Sequence, residues 1–238
     1  MPLKKHTDQQ YDAELEGLRS KLLTLGGKVE AEIAVSMRAL AERDSNLAEQ
    51  VVESDRQVNL LELEVDESCR RLLALRQPAA SDLRFITTAM KIVTDLERIG
   101  DQAVNIAQRT IELNPEPQLK PYVDLPRMAE KAQRMVKESL DAFVSRDTEL
   151  ARRVCGEDSE VDALKEQIFR ELLTYMMEDP KTIPRAIRLI LVSRFLERVA
   201  DHAIAVSQHA GLVAGGAQVP LEAEALVRTE RGFDAGIE

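Results

Sequence analysis

Tryptophan is absent from this chain, and aromatic residues make up only 3% of it. A sandwich or barrel draws its strands from β-branched and aromatic residues, so this poverty argues against a sheet protein. Cysteine occurs twice, as Cys69 and Cys155. Neither has a CxxC partner or a histidine at ligand spacing, so a disulfide framework and a zinc knuckle are both excluded and each reads as a small core or partly buried residue. No apolar run is long enough to span a bilayer; the most apolar stretch, AIRLILVSRFL, is short and broken by arginines. The opening residues MPLKKHTDQQ lack the apolar centre of a secretory leader, and a cytoplasmic protein is expected.

Basic patches are missing too. The net charge is −10, and no basic stripe is present to displace counterions from a phosphate backbone, so nucleic acid is not an expected partner. The same charge disfavours direct docking on anionic lipid, leaving any membrane association to be indirect, through partners. No glycine-rich phosphate loop is present: Gly26-Gly27 and Gly215-Gly216 lack the strand, lysine and spacing it needs. No ExxH or HExxH occurs, which counts against di-iron oxidase and zincin chemistry. No serine or cysteine stands at a recognisable spacing from a base.

What is abundant is leucine, alanine, glutamate and arginine, side chains that lose little rotamer freedom in a helix. The apolar residues Tyr11, Leu15, Leu18, Leu22, Leu25, Val29, Ile33, Met37 and Leu40 recur every three or four positions, as one long amphipathic helix requires. Gly26 and Gly27 weaken that pattern without ending it. A turn follows at Asp44, with Ser45 or Asn46 as its cap. A second helix carries Leu47, Val51, Val58, Leu61, Val65, Cys69 and Leu72 and stops before Pro78. A third, with Ser81 as candidate cap, runs from there to about Leu113. Pro115, Pro117, Pro121 and Pro126 then forbid a continuous helix. After them the scheme repeats, with helix four from MAEKAQ, helix five from TELARRV through LLTYMM, and helix six to about His209.

Two phrases show that the repetition is a duplication. LERIGDQAVNIAQ (96–108) and LERVADHAIAVSQ (196–208) align without gaps, and ERDSNLAEQVVESD resembles SRDTELARRVCGED, matching Asp44 with Asp147 and Asp55 with Asp158. The expected fold is therefore all-α, two tandem three-helix bundles of six long antiparallel helices. Residues 1–114 form the first bundle, 115–126 a proline-rich connector and 127–212 the second bundle. Residues 213–238 read as a disordered tail with one short helix around Glu222 to Arg228.

Glu97 and Asp101 lie about 40° apart on one side of a helix, and Glu197 and Asp201 repeat them. Like charges four residues apart cost a helix a few tenths of a kcal/mol, and both copies retain that cost. Two readings stand. Oxygen donors on successive turns, joined by others from neighbouring helices, suit a hard cation or a carboxylate-bridged cluster. Alternatively, this is an ordinary half-exposed face, with Arg98 reaching Asp101, Arg194 reaching Glu197 and Arg198 reaching Asp201. His202 stands too far around the helix from Glu197 to share its cation, and His6 and His209 read as surface residues.

The segments QPAASDLRFI, KIVTDLERIGDQAVNIAQ and LERVADHA, in this order and within the double three-helix layout, resemble the PhoU family over about residues 10 to 212. The resemblance implies a cytoplasmic, PhoU-like six-helix protein, often a homodimer. It also implies a non-catalytic negative regulator of the phosphate-starvation response, linking the ATPase subunit of the phosphate ABC transporter to the sensor histidine kinase PhoR. The family's repeated E(D)xxxD signature falls on Glu97–Asp101 and Glu197–Asp201, where family members hold zinc, iron, manganese or magnesium. Many members carry histidine where this chain has Gln102, and Asn105 has no counterpart at Ala205. From the residues alone, the rival readings are a carboxylate-bridged metal enzyme on a helical bundle and a purely structural helical dimer.

Overall fold

The computed structural model describes residues 9–215, which contain no strand. Helix α1 spans Gln9–Glu42, α2 Ser45–Leu75 and α3 Ala80–Leu113. The second set is α4 Asp124–Ser145, α5 Thr148–Gly156, α6 Asp158–Glu178 and α7 Ile183–Gly215, with a 3₁₀ turn at Pro180–Thr182 before α7.

The expected six-helix plan holds, with local corrections. The fifth helix is interrupted at Glu157 and becomes α5 and α6. Gly156 precedes the break, and glycine in a helix costs about 1 kcal/mol relative to alanine. The first copy has Glu53 at that position and runs through unbroken. Helix four starts at Asp124, inside the expected connector, because Pro126 sits in its first turn, where a missing N–H removes no helical bond. Asp44, not Ser45 or Asn46, caps α2 by accepting from the Leu47 N–H at 3.0 Å. Ser81 lies inside α3, whose first residue is preceded by Ala79 with no side-chain cap. Residues 213–215, expected in the tail, continue α7; the rest of the tail and His6 lie outside the described residues.

The duplication is visible in the backbone. Arg43 and Arg146 both adopt left-handed conformations, at φ 57° and 58°, and each precedes an aspartate that caps the next helix, Asp44 and Asp147. Ser36 and Ser139 are both buried and donate to the carbonyl three residues back. Val51, Val58 and Val65 fill the first core where Val154, Val161 and Ile168 fill the second. Burying each such side chain fully contributes about 1.5–3 kcal/mol. Cys69 is part of that core and Cys155 is half-buried; burial pushes their thiols up to about 12 and about 11, so neither is a ready nucleophile.

Helices α1, α2 and α3 pack together, as do α4, α5, α6 and α7. The two sets share a seam formed by α3 against α7 and by α1 against α4. Leu140 of α4 presses on Gly26 so closely that a Cβ there would stand 2.1 Å from its Cδ1. Phe85 and Phe143 stack at 4.9 Å between centroids, and the Arg19 guanidinium lies 5.1 Å from the Phe85 ring centre. The connector is pinned from both sides. Arg43 donates to the carbonyls of Leu113, Asn114 and Glu116, and Arg185 donates to that of Pro117.

Candidate functional site: two acidic furrows

Antiparallel packing of α2 on α3 sets acids of one helix against acids of the other. Glu97 is half-buried and Asp101 is exposed, and Asp55 and Glu62 of α2 face them. Burial first, then Asp101, Glu62 and Asp55, push the Glu97 carboxyl above its ordinary value, against the pull of Arg98. Burial and Asp55 raise Asp101 in the same way. Asp55 itself accepts a bond from Asn59 Nδ2 at 3.0 Å. These four carboxylates form the first furrow.

The second furrow lies between α6 and α7. Glu197 is half-buried and Asp201 is exposed at the rim. Asp201 is nevertheless crowded enough by protein that burial, with Glu197 and Asp158, pushes its carboxyl up to about 6, against His202 and Lys165. Lys165 of α6 sits within this group. Its ammonium donates to Glu197 Oε1 and lies 3.2 Å from Asp162 Oδ1.

Each expected pair is thus held together, but the two pairs belong to separate sites. The charges that act on Glu97 and Asp101 come from α2 and α3, and those that act on Asp201 come from α6 and α7. The anticipated pairings of Arg98, Arg194 and Arg198 with these acids do not form among the described residues; Glu197 takes Lys165 from the neighbouring helix instead. Asp55 and Asp158, which match between the copies, face these pairs and were not among the expected site residues. Their repetition in register with the ExxxD pairs was the available signal. Gln102 is buried and donates to the Arg98 carbonyl at 3.1 Å.

Beneath the first furrow lies a group that sequence reading missed. Glu32 of α1 is 4% exposed. Its Oε1 accepts from Ser54 Oγ at 2.7 Å, whereas its Oε2 has no hydrogen-bond partner. Oε2 faces Gly100, whose absent Cβ would stand 3.8 Å away. An open pocket of about 220 Å³ between α1 and α2, lined in part by Lys28, Gln50 and Ser54, reaches the same carboxylate. Burial is the main cause raising its pKa, against the hydrogen bond from Ser54 and the nearby Lys28 ammonium, with a smaller upward push from Asp55.

A second polar contact crosses the seam. Asp95 of α3 is buried, with His202 Nδ1 3.1 Å from its Oδ1 and His209 Nε2 3.8 Å from its Oδ2. His209, expected at the surface, is therefore half-buried against the other half of the molecule.

Among the described residues, no three carboxylate, imidazole or thiol groups converge tightly enough to enclose a metal ion. The donors of the first furrow are all oxygens, and one buried oxygen is orphaned beneath a position with no Cβ. Oxygen donors of this kind suit hard cations, but neither furrow gathers three of them around one point.

A duplicated three-helix chain with an acidic furrow in each copy defines a two-unit helical-bundle protein. Comparison with known proteins makes the class specific. The family model described as PhoU domain matches residues 22–110 and again 125–210. The chain belongs to the PhoU family. It is 48% identical over 202 residues to the phosphate-specific transport system accessory protein PhoU homolog of Pseudomonas aeruginosa, covering 84% of each chain. It is 40% identical over 199 residues to the phosphate-specific transport system accessory protein PhoU of Escherichia coli, covering 84% of this chain and 83% of that one. The crystal structure of PhoU from Pseudomonas aeruginosa superposes with a TM-score of 0.83 at 45% identity, covering 87% of this chain and all of that one. That of the phosphate transport system regulatory protein PhoU from Streptococcus pneumoniae gives 0.81 at 28% identity, covering 89% and 100%. None of the described helices is long and apolar enough to cross a membrane.

Proposed function

We propose that this chain is a non-catalytic, cytoplasmic regulator of phosphate-specific transport. It links the ATPase subunit of the phosphate ABC transporter to a sensor histidine kinase and holds back the phosphate-starvation response. The relatives' names, which describe accessory and regulatory proteins of phosphate transport, support the reading. The observation that carries it is the in-register repetition of a Glu–Asp pair, each facing an aspartate of the preceding helix.

In this reading the furrow carboxylates take divalent or iron cations, with magnesium and manganese best matched to oxygen donors and zinc and iron as further occupants. A bound cation offsets the repulsion among the acids and so sets how closely the two helices of a furrow approach. The chain works as a homodimer, leaving the outer helix surfaces for its partners.

The test is a pull-down of purified transporter ATPase and kinase by this chain at high and low phosphate, with metal analysis of the same samples. Phosphate-dependent capture of both partners, weakened by the double substitution E97A/D101A, is the expected result. Failure to capture either partner at any phosphate level would overturn the linking role. Metal-free samples that bind none on titration would overturn the cation role alone.

A further inference from the structure

The outer face of α6 is apolar where the first copy is charged. Phe169, Leu173 and Met177 recur every four residues on one side of α6 and are 45%, 41% and 78% exposed. In the frame that aligns Asp55 with Asp158 they fall on Asp66, Arg70 and Ala74, and Asp66 and Arg70 form an ion pair at 2.6 Å. The fold itself therefore does not require an apolar stripe at these positions. Ile183 and Ile187 of α7, both exposed, extend the patch. The Lys165–Glu197 contact sets α6 beside α7, and the two helices run antiparallel, so both isoleucines lie toward the Leu173–Met177 end. In the first copy Ile187 is matched by Thr87. Exposed apolar side chains gathered on one face mark a contact surface.

We infer that this face is where two copies of the chain meet, with α6 packed antiparallel against α6 of the second copy about a two-fold axis at Leu173. The inference rests on the homodimer reading above and names its surface. The stripe is self-complementary. A two-fold at Leu173 sets that residue against itself and Phe169 against Met177 of the other copy, because the two are equally spaced about the axis. The charges agree with the same register. Arg170 comes alongside Glu178 of the other copy, and Glu166 alongside its Lys181. Glu178 and Lys181 are exposed and form no ion pair of their own among the described residues. Glu166 and Arg170 already pair at 2.5 Å, and the second copy extends that pair into a network. Because the rim carries both signs, the face matches itself better than it matches a strongly basic or strongly acidic segment. Five apolar side chains from each copy, with this charged rim, are on the scale of the about 1,200–2,000 Å² that a specific interface buries. Met177, unbranched and adaptable, fills gaps at its edge.

The experiment measures the mass of the full chain by light scattering after size exclusion, over a range of concentrations. Wild type should have the mass of two chains. F169D/L173D should halve it, while L60D/L63D, at exposed positions of α2, should leave it unchanged. All four positions are exposed, so the core is untouched, and circular dichroism verifies the fold. Oxidative crosslinking tests the register. Leu173→Cys should give disulfide-linked pairs of chains, because the two-fold brings that position onto itself. Phe169→Cys alone should not, since its two copies would stand about 12 Å apart along the helix axis. Mixed with Met177→Cys, it should give mixed pairs. Cys69 is buried and Cys155 half-buried, so wild type supplies the background.

A dimer that survives F169D/L173D would overturn the inference while leaving the homodimer reading standing, with its contact elsewhere. Wild type that is monomeric at every concentration would sink both. A monomeric wild type whose capture of transporter ATPase or kinase is lost in F169D/L173D would give the face to that partner instead of a second copy. Crosslinking of Phe169→Cys alone as efficiently as Leu173→Cys would reject the two-fold at Leu173.

Discussion

Asp95 and His202 meet across the seam between the two copies, with 3.1 Å between Oδ1 and Nδ1. The contact joins α3 to α7, and Asp95 is 8% exposed. Replacing Asp95 by Asn should destabilise the fold by about 1–3 kcal/mol, the usual cost of disturbing a buried polar contact. A double-mutant cycle with His202→Gln, read by urea unfolding, should return a coupling of at least about 0.5 kcal/mol. Strict additivity would show that the pair contributes nothing to holding the halves together.

The two adjacent glycines of α1 should respond with opposite signs. Gly26 lies under Leu140, and Gly27 has nothing within 4 Å of its missing Cβ. Gly27→Ala should stabilise by about 1 kcal/mol through helix propensity. Gly26→Ala should destabilise by about 1–3 kcal/mol, because buried Leu140 cannot retreat into a filled core. Thermal melting of the two variants side by side decides the matter.

Arg43 and Arg146 share a left-handed backbone but not a task. An L-residue there costs about 1–2 kcal/mol that glycine avoids. Arg146 keeps a buried guanidinium nitrogen without a partner, so Arg146→Gly should leave stability unchanged or raise it by up to about 1 kcal/mol. Arg43 holds three connector carbonyls, so Arg43→Gly should be net destabilising in the same denaturation assay.

Asp201 makes stability depend on pH. Its ordinary value is 3.8 and the fold pushes it up to about 6. Between those values the folded chain keeps a proton that the unfolded chain has released, so stability falls as pH rises through this window. The penalty is complete above it and absent below it. Asp201→Asn should therefore melt higher than wild type at about pH 8 and match it near pH 4. An advantage that persists unchanged at the lower pH would assign the effect to packing instead of ionisation.

The helices were legible because their apolar spacing is long and regular, and the duplication because two phrases keep one frame. Helix ends were less so. Pro126 reads as a breaker, yet it sits in a first turn, where proline is tolerated, and nothing in composition distinguishes a proline that opens a helix from one that ends it. The interruption at Glu157 follows from one glycine in an otherwise persuasive apolar pattern. Within the site, the ExxxD pairs declared themselves by repetition. Glu32 did not, because in sequence it is one glutamate among many on a charged helix, and only the proximity of Gly100 from another helix reveals its burial. Lys165 was equally silent: its meaning depends on a register between helices that a single chain of letters does not display.

Helix α3 carries opposite duties on its two sides. Asp95 looks toward the other half of the molecule, while Glu97 and Asp101, within two turns, look away from it. A rigid rod with cargo on both flanks cannot roll to suit one without displacing the other. A rotation of α3 that changed the spacing on its acidic flank would therefore also shift Asp95 against His202 at the joint between the copies.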